Sequence, residues 1–188
     1  MSAATKSSGN AIVAMHWFRK GLRLHDNPGL LHSLKLVNSN SQQAGQIYPV
    51  YIVDPNSYQL LKCSVNRAKF LLECVSDLDT SLKECGSRLY VATGDPVDVL
   101  PTLWKEWNVT HMTHESDETG EPYALQRDTE VQKIAKKEGV QVMSFDIPQG
   151  HHNSLIDRRS SDTPPSTYKY YYTYRNVGGH WSGTGNVN

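Results

Sequence analysis

The chain has 188 residues, which leaves room for one domain and a short tail but not for two full domains. Its 19 lysine and arginine residues balance 19 aspartate and glutamate residues, so the formal net charge is zero. This balance excludes an overall positive field that would draw the chain to nucleic acid or to an anionic membrane. Any such contact must come from a local patch.

The chain lacks the apolar runs that targeting and membrane segments require. A secretory signal needs about 7–15 consecutive apolar residues, and a membrane helix needs about 18. Residues 1–10 are polar and small, and no later segment reaches the second length. We expect residues 1–10 to be disordered and the protein to lie in the cytoplasm, the nucleus or both, without membrane contact.

Five strand-like runs alternate with helix-like segments over residues 11–150. The first run, 11–18, is almost continuously apolar, as is typical of a strand buried on both faces of a parallel sheet. The remaining predicted strands cover residues 48–53, 88–93, 109–114 and 140–145.

The helix-like segments carry recognisable start and stop signals. Asn27 and Pro28 open the first helix, and Glu121 precedes the last, which ends at Gly139. The third begins at Asp95 and contains a proline that should bend or restart it. The second runs from Ser64 to Gly86 and has apolar residues three and four apart: Ala68, Leu71, Leu72, Val75, Leu78 and Leu82. The internal proline of the third helix is Pro101.

The three cysteines are spaced eleven residues apart, at Cys63, Cys74 and Cys85. On one helix they would point the same way but lie about 16 Å apart, because each residue adds about 1.5 Å of rise. This separation excludes a disulfide and a shared metal site. We interpret them as small apolar helix positions.

Alternating strands and helices predict a doubly wound α/β domain with a five-stranded parallel sheet, ending near residue 150. Such sheets bind ligands at the carboxyl ends of their strands. Neither G-x-G-x-x-G nor G-x-x-x-x-G-K-[ST] occurs there, which disfavours an ordinary dehydrogenase, a P-loop enzyme and a free nucleotide-binding domain.

One stretch is more specific than any periodicity. Residues 16–31, HWFRKGLRLHDNPGLL, closely resemble the first strand, loop and helix of the cryptochrome/photolyase family. Lys20, Gly21 and His25 resemble the animal cryptochrome and (6-4) photolyase branch. Further segments follow the family in order over residues 11–150: 50–55, 66–72, 87–89, 94–101, 105–110 and 121–128.

The resemblance implies the Rossmann-like photolyase α/β domain, which carries no catalytic residue of its own. It also implies that a deazaflavin or folate antenna, if one binds, would contact Arg19 and Asp54. In the family, FAD and the electron-transfer tryptophans belong to a helical domain that follows this one. We therefore expect no tightly bound FAD here, and we predict that Trp17, Trp104 and Trp107 serve in packing.

Charged and polar residues near the leading motif have structural interpretations. Arg23 and Asp26 should brace the loop as an ion pair while Asn27 caps the helix. His111 and His114 would point to opposite faces of a strand, so we predict no metal site from them, and His151 with His152 offers no better geometry.

Residues 151–188 are predicted to be an interdomain-linker remnant followed by a disordered tail. Residues 163–169 resemble the segment that leads the family into its linker, and the resemblance implies a DNA backbone contact for Lys169. Beyond Lys169 the family pattern is lost and the composition becomes rich in glycine. This boundary predicts truncation before the FAD domain, as a natural isoform, a retained intron or a frameshift.

Two functional hypotheses follow. The chain is either the antenna or regulatory domain of a blue-light cryptochrome or (6-4) DNA photolyase, or a non-catalytic interaction isoform that competes with full-length cryptochrome for partners. The parent's partners would be DNA or clock and signalling proteins. The chain itself is expected to be monomeric.

Overall fold

A computed structural model of the chain describes residues 11–39, 45–57, 64–116, 121–146, 170–176 and 179–185. Five parallel strands form one sheet: β1 (Val13–Phe18), β2 (Gln46–Val53), β3 (Tyr90–Thr93), β4 (His111–Glu115) and β5 (Gln141–Phe145). Within the described residues, four helices connect them: α1 (Pro28–Asn38), α2 (Val65–Glu84), α3 (Pro96–Glu106) and α4 (Pro122–Glu138). The strand order is β3-β2-β1-β4-β5, which confirms the predicted doubly wound α/β fold.

Helices cover both faces of the sheet because successive side chains of β1 point to opposite sides. Met15 and Trp17 join the core under α3 and α4, whereas Phe18 joins the core under α1 and α2. The buried positions of Trp17 and Trp104 confirm their predicted packing role. Within the described ranges, no helix combines the length and apolar character needed to cross a bilayer.

The predicted helix boundaries are confirmed by their caps. Asn27 Oδ1 accepts from the Leu30 amide at 3.0 Å, and Asp95 Oδ1 accepts from the Val97 amide at 2.9 Å. Gly139 ends α4 at φ 76°, a conformation in which a side chain would be strained. Local capping chemistry therefore sets these helix ends.

The effect of Pro101 and the bounds of several strands differ from the prediction. Pro101 does not restart α3, which is one continuous helix, because Leu100 and Leu103 anchor it in the core around the single missing backbone bond. The third strand begins at Tyr90 rather than at residue 88. The Leu89 amide is diverted to Asp79 Oδ1 on α2, at 3.0 Å, and cannot join the sheet.

The apolar row of α2 is fully buried only over its second half. Leu78 and Leu82 are buried under the sheet, but Leu72, a member of the same predicted apolar row, is 66% exposed. Cys74 lies on α2 and Cys85 is its C-terminal cap residue; both are partly buried free thiols. Cys63 lies outside the described residues. Periodicity therefore predicts the helix correctly but not how much of it is covered.

The tail contains an antiparallel pair, β6 (Tyr170–Asn176) and β7 (Gly179–Gly185), where disorder was predicted. Consecutive tyrosines favour extended backbone, which outweighs the glycine content in this segment. Residues 1–10 and the linker segment 151–169, with His151, His152 and Lys169, lie outside the described residues.

Candidate functional site at the carboxyl ends of the strands

Charged side chains meet where β1, β2 and β4 end, next to the start of α4. Arg19 directly follows β1, and Asp54 directly follows β2. The position lies beside the point where the strand order reverses, which is where sheets of this type bind ligands. We call this group of side chains the strand-end site; its members are Arg19, Asp54, Tyr123, Arg127 and Asp128.

Two guanidinium groups and two carboxylates form a continuous ionic network in this site. Arg19 Nη1 donates to Asp128 Oδ2 at 2.9 Å, and Arg127 Nη2 donates to Asp128 Oδ1 at 2.9 Å. Arg127 Nη1 lies 3.7 Å from Asp54 Oδ2. The two arginine side chains are 7% and 9% exposed. The network is therefore buried and balanced in charge, so it has no surplus cation for a phosphate group.

Trp17 fixes both guanidinium groups from the sheet side. The Arg19 Cζ atom lies 4.9 Å from the centroid of the Trp17 ring, and the Arg127 Cζ atom lies 5.3 Å from it. Each cation–π contact of this kind contributes about 0.5–2 kcal/mol. The indole is thus part of the site as well as of the core.

Tyr123 closes the Asp54 end of the network. Its Oη donates to Asp54 Oδ2 at 2.8 Å, while Asp54 Oδ1 accepts from the Asn56 amide at 2.9 Å. Burial and the bond to the carboxylate both raise the pKa of Tyr123, which therefore stays protonated and keeps donating. Both oxygens of Asp54 are occupied by groups of the chain itself.

Glu115 fixes the loop that carries Arg19. Its carboxylate accepts from the Lys20 amide at 3.1 Å and from the Gly21 amide at 2.8 Å. Burial raises the pKa of Glu115, and the two amide bonds act against that shift. This carboxylate therefore has a structural task in holding the loop between β1 and α1.

His114 lies behind the network. Arg19 Nη1 has two hydrogens, which it donates to Asp128 and to the Glu115 carbonyl oxygen, both at 2.9 Å. His114 Nδ1 lies 2.8 Å from the same carbonyl oxygen. Because a carbonyl oxygen can only accept, Nδ1 holds a hydrogen and donates it. Burial lowers the pKa of His114, and the Arg19 charge acts in the same direction, so the ring is neutral at pH 7.

A second buried network links β1, α1 and β4 below the site. Asn27 Nδ2 donates to His16 Nε2 at 3.1 Å, so Nδ1 holds the ring hydrogen and donates to Thr113 Oγ1 at 2.7 Å. The Thr113 hydroxyl is in turn 2.7 Å from Ser33 Oγ. Burial lowers the pKa of His16 to about 3. A Cβ atom at Gly29 would lie 3.0 Å from His16 Cε1, so glycine allows this close approach.

The cavity at the strand-end site is small. Arg19, Asp54, Arg127 and Glu121 line a space of about 50 Å³. Sites for small organic ligands usually enclose about 300–1,000 Å³. The described residues therefore do not fit FAD, a deazaflavin or a folate in this arrangement.

Some predictions for individual residues can be compared with the structure. Arg19 and Asp54 do line one cavity, although their polar atoms contact protein groups. Arg23 Nη2 lies 3.4 Å from Asp26 Oδ2, which confirms the predicted loop pair. In the described part of the chain, no three His, Cys, Asp or Glu side chains are grouped to hold a metal ion.

The sequence interpretation missed Arg127, Asp128 and Tyr123 as members of the site. All three residues lie within the segment 121–128 that resembles the family, so the sequence did mark them as part of a family motif. The sequence did not show that the first turns of α4 lie beside the ends of β1 and β2.

Comparison with known proteins gives consistent results for sequence and fold. The family model described as DNA photolyase matches residues 14–177. Cryptochrome-1 of Macaca fascicularis is 41% identical over 162 residues, which is 86% of this chain and 26% of the relative. The chain therefore spans about a quarter of the length of such relatives. The family-model match extends to residue 177, eight residues beyond Lys169.

Solved structures show the same fold. The class III photolyase from Agrobacterium tumefaciens is similar with a TM-score of 0.64 and 26% identity, over 84% of this chain and 30% of that one. The archaeal photolyase from Sulfolobus tokodaii, described with two FAD molecules and a novel light-harvesting cofactor, gives a TM-score of 0.60 and 26% identity over 72% and 29%. The family match, these neighbours and the five-stranded sheet together show that the chain belongs to the DNA photolyase family, which includes the cryptochromes.

Proposed function

We propose that this chain is the N-terminal regulatory domain of a cryptochrome or (6-4) photolyase and acts by contacting other protein surfaces. The observation that supports this function best is the completeness of the strand-end site. Its two arginines and two aspartates pair with one another, and the space beside them is about 50 Å³. An antenna chromophore would have to separate Arg127 from Asp54 before it could enter.

The light-dependent chemistry would then belong to other parts of a longer protein. FAD absorption, signalling or DNA repair, and any DNA contact by Lys169, are functions proposed for that protein and not for this chain alone. Its partners would be DNA or clock and signalling proteins. For the chain alone, we expect no catalytic activity and no tightly bound FAD.

Titration with chromophores tests this proposal. The purified chain would be titrated with FAD, 8-hydroxy-5-deazaflavin and methenyltetrahydrofolate while chromophore fluorescence anisotropy is recorded. We expect no saturable binding up to about 100 μM, since the cavity is several-fold smaller than ordinary ligand sites. Stoichiometric binding that Asp54→Asn abolishes and the exposed variant Asp98→Asn retains would contradict the proposal and establish an antenna site.

A second candidate function is that of a non-catalytic isoform that competes with full-length cryptochrome. Large apolar side chains exposed on α2, such as Phe70 and Leu72, favour a role in protein contact. Adding increasing amounts of the chain to a preformed complex of full-length cryptochrome and a partner should displace the full-length protein. A complex that survives a large excess of the chain would exclude this function.

A further inference from the structure

A larger, open cavity lies beside the strand-end site and shares Lys20 and Leu71 with the lining of the smaller cavity there. It has a volume of about 320 Å³ and lies between the loop after β1 and the first half of α2. We call it the α2 groove; its lining includes Lys20, Leu22, Arg23, Arg67, Phe70 and Leu71.

The apolar side chains of the α2 groove belong to a stripe along α2, and the later part of that stripe is buried under the sheet. Arg67, Phe70, Leu71 and Cys74 are spaced three and four residues apart, so they share one face of the helix. The same face leads on to Leu78, which is 2% exposed under the sheet, whereas Phe70 is 66% exposed. At the start of this stripe Phe70 is therefore largely uncovered, whereas Leu71 is partly covered by the core.

The polar part of the groove is cationic, although the whole chain has no net charge. Arg23 pairs with Asp26 through a long, exposed contact of 3.4 Å, and its buried Nε finds no acceptor among the described residues. Arg67 is exposed, and no ion pair to it is present in the described ranges. The buried carboxylate of Glu115 accepts hydrogen bonds from the amides of Lys20 and Gly21, and it attracts Arg23 through its charge without an ion pair at contact distance. The α2 groove thus contains weakly paired guanidinium groups beside exposed apolar side chains.

We propose that the α2 groove binds an acidic amphipathic helix of a separate protein. Apolar side chains one turn apart would fill the space beside Phe70 and Leu71, and flanking carboxylates would pair with Arg23 and Arg67. A nucleic acid or a free phosphate would satisfy the cations but leave the apolar stripe exposed. The inference concerns a neighbouring cavity and rests on Arg23, Arg67 and Phe70, which are not members of the strand-end site.

Selection from a phage-displayed library of helical peptides tests the proposal on the full chain. Peptides that bind should be enriched in Asp and Glu flanking Leu, Ile or Phe at positions i and i+4. Their dissociation constants should rise at least about tenfold in Phe70→Ala and in Arg67→Glu. They should also rise with salt, because the paired charges are exposed.

Matched variants on α4 provide the controls. Leu125→Ala removes another apolar side chain that is 51% exposed, and Lys133→Glu reverses another exposed cation; both should leave the affinity unchanged. Arg67→Glu should in turn prefer peptides whose acids are replaced by lysine. A library without binders, binders without acidic flanks, or binders insensitive to Phe70→Ala would overturn the proposal. Binding of single-stranded DNA or anionic vesicles that Arg67→Glu abolishes but Phe70→Ala retains would also overturn it.

Discussion

The strand-end site and the α2 groove lie near each other on the same domain but differ in how far the chain completes them. At the strand-end site, two arginines are matched by two aspartates and the remaining space is about 50 Å³. In the α2 groove, cations and an exposed phenylalanine surround about 320 Å³. The motif that resembles the family thus does not identify which of the two surfaces is more open to a ligand. The two surfaces differ in whether their charged groups are paired and whether their apolar side chains are covered.

The largest effect should follow from breaking the network of the strand-end site. Arg127→Gln leaves Asp54 without its guanidinium in a buried setting, so we expect the free energy of unfolding to fall by about 3–5 kcal/mol. Urea denaturation measures the change. The control, Arg88→Gln, breaks an exposed pair with Asp79 and should cost about 1 kcal/mol or less. Equal losses in the two variants would show that the network is not the stabilising feature described here.

A smaller effect should appear as pH dependence of stability through His16. The pKa of His16 is about 3 in the folded chain and about 6.5 when unfolded, so only the unfolded state takes up this proton between those values. The stability that neutral His16 contributes is therefore present above pH 6.5 and lost as the pH falls. From pH 6.5 to 4.5 the loss should be about 2–3 kcal/mol.

His16→Gln provides the reference for that measurement. The variant is less stable at pH 7, but it lacks the titrating ring, so its stability should fall less steeply below pH 6.5. Other titrating groups such as Glu115 are present in both proteins, so the difference between the two profiles reports His16 together with its electrostatic coupling to His114. Parallel pH profiles of wild type and variant would contradict the buried neutral state of His16.

The cap of α1 should contribute less. Asn27→Ala removes the acceptor for the Leu30 amide and the donor to His16, so we expect a loss of about 1–2 kcal/mol in urea denaturation. Asp95→Ala removes only a cap bond and should cost about 1 kcal/mol. A loss at Asn27 no larger than that at Asp95 would argue against its role in the histidine network.

The smallest change in stability is expected in the α2 groove. Phe70→Ala should alter the free energy of unfolding by less than about 0.5 kcal/mol, because the ring is 66% exposed. Leu82→Ala, on the buried half of the same helix, should cost about 2–5 kcal/mol. A large loss in Phe70→Ala would mean that this ring has a covered, structural position.

Sequence reasoning predicted the sheet, the helix caps and the position of Arg19 and Asp54 just after two strands, because each depends on local signals. It did not predict that Arg127 and Asp128 would complete that site, since this depends on where α4 lies relative to the sheet. Nor did it distinguish Leu72, which is exposed, from Leu82, which is buried. Periodicity indicates which residues share a helix face but not what covers that face. His16 stands in an apolar run, and nothing in that run distinguishes a hydrogen-bonded histidine from one pointing to solvent.

The most direct test of the contrast between the two surfaces is to measure the backbone amide chemical shifts of the ¹⁵N-labelled chain during two titrations. We expect 8-hydroxy-5-deazaflavin to leave the amides of Arg19, Asp54 and Tyr123 unchanged. An acid-flanked helical peptide should shift those of Gly21 and Phe70 in a saturable way. Saturable shifts at Arg19 and Asp54 with the chromophore, and none at Gly21 and Phe70 with the peptide, would contradict the account.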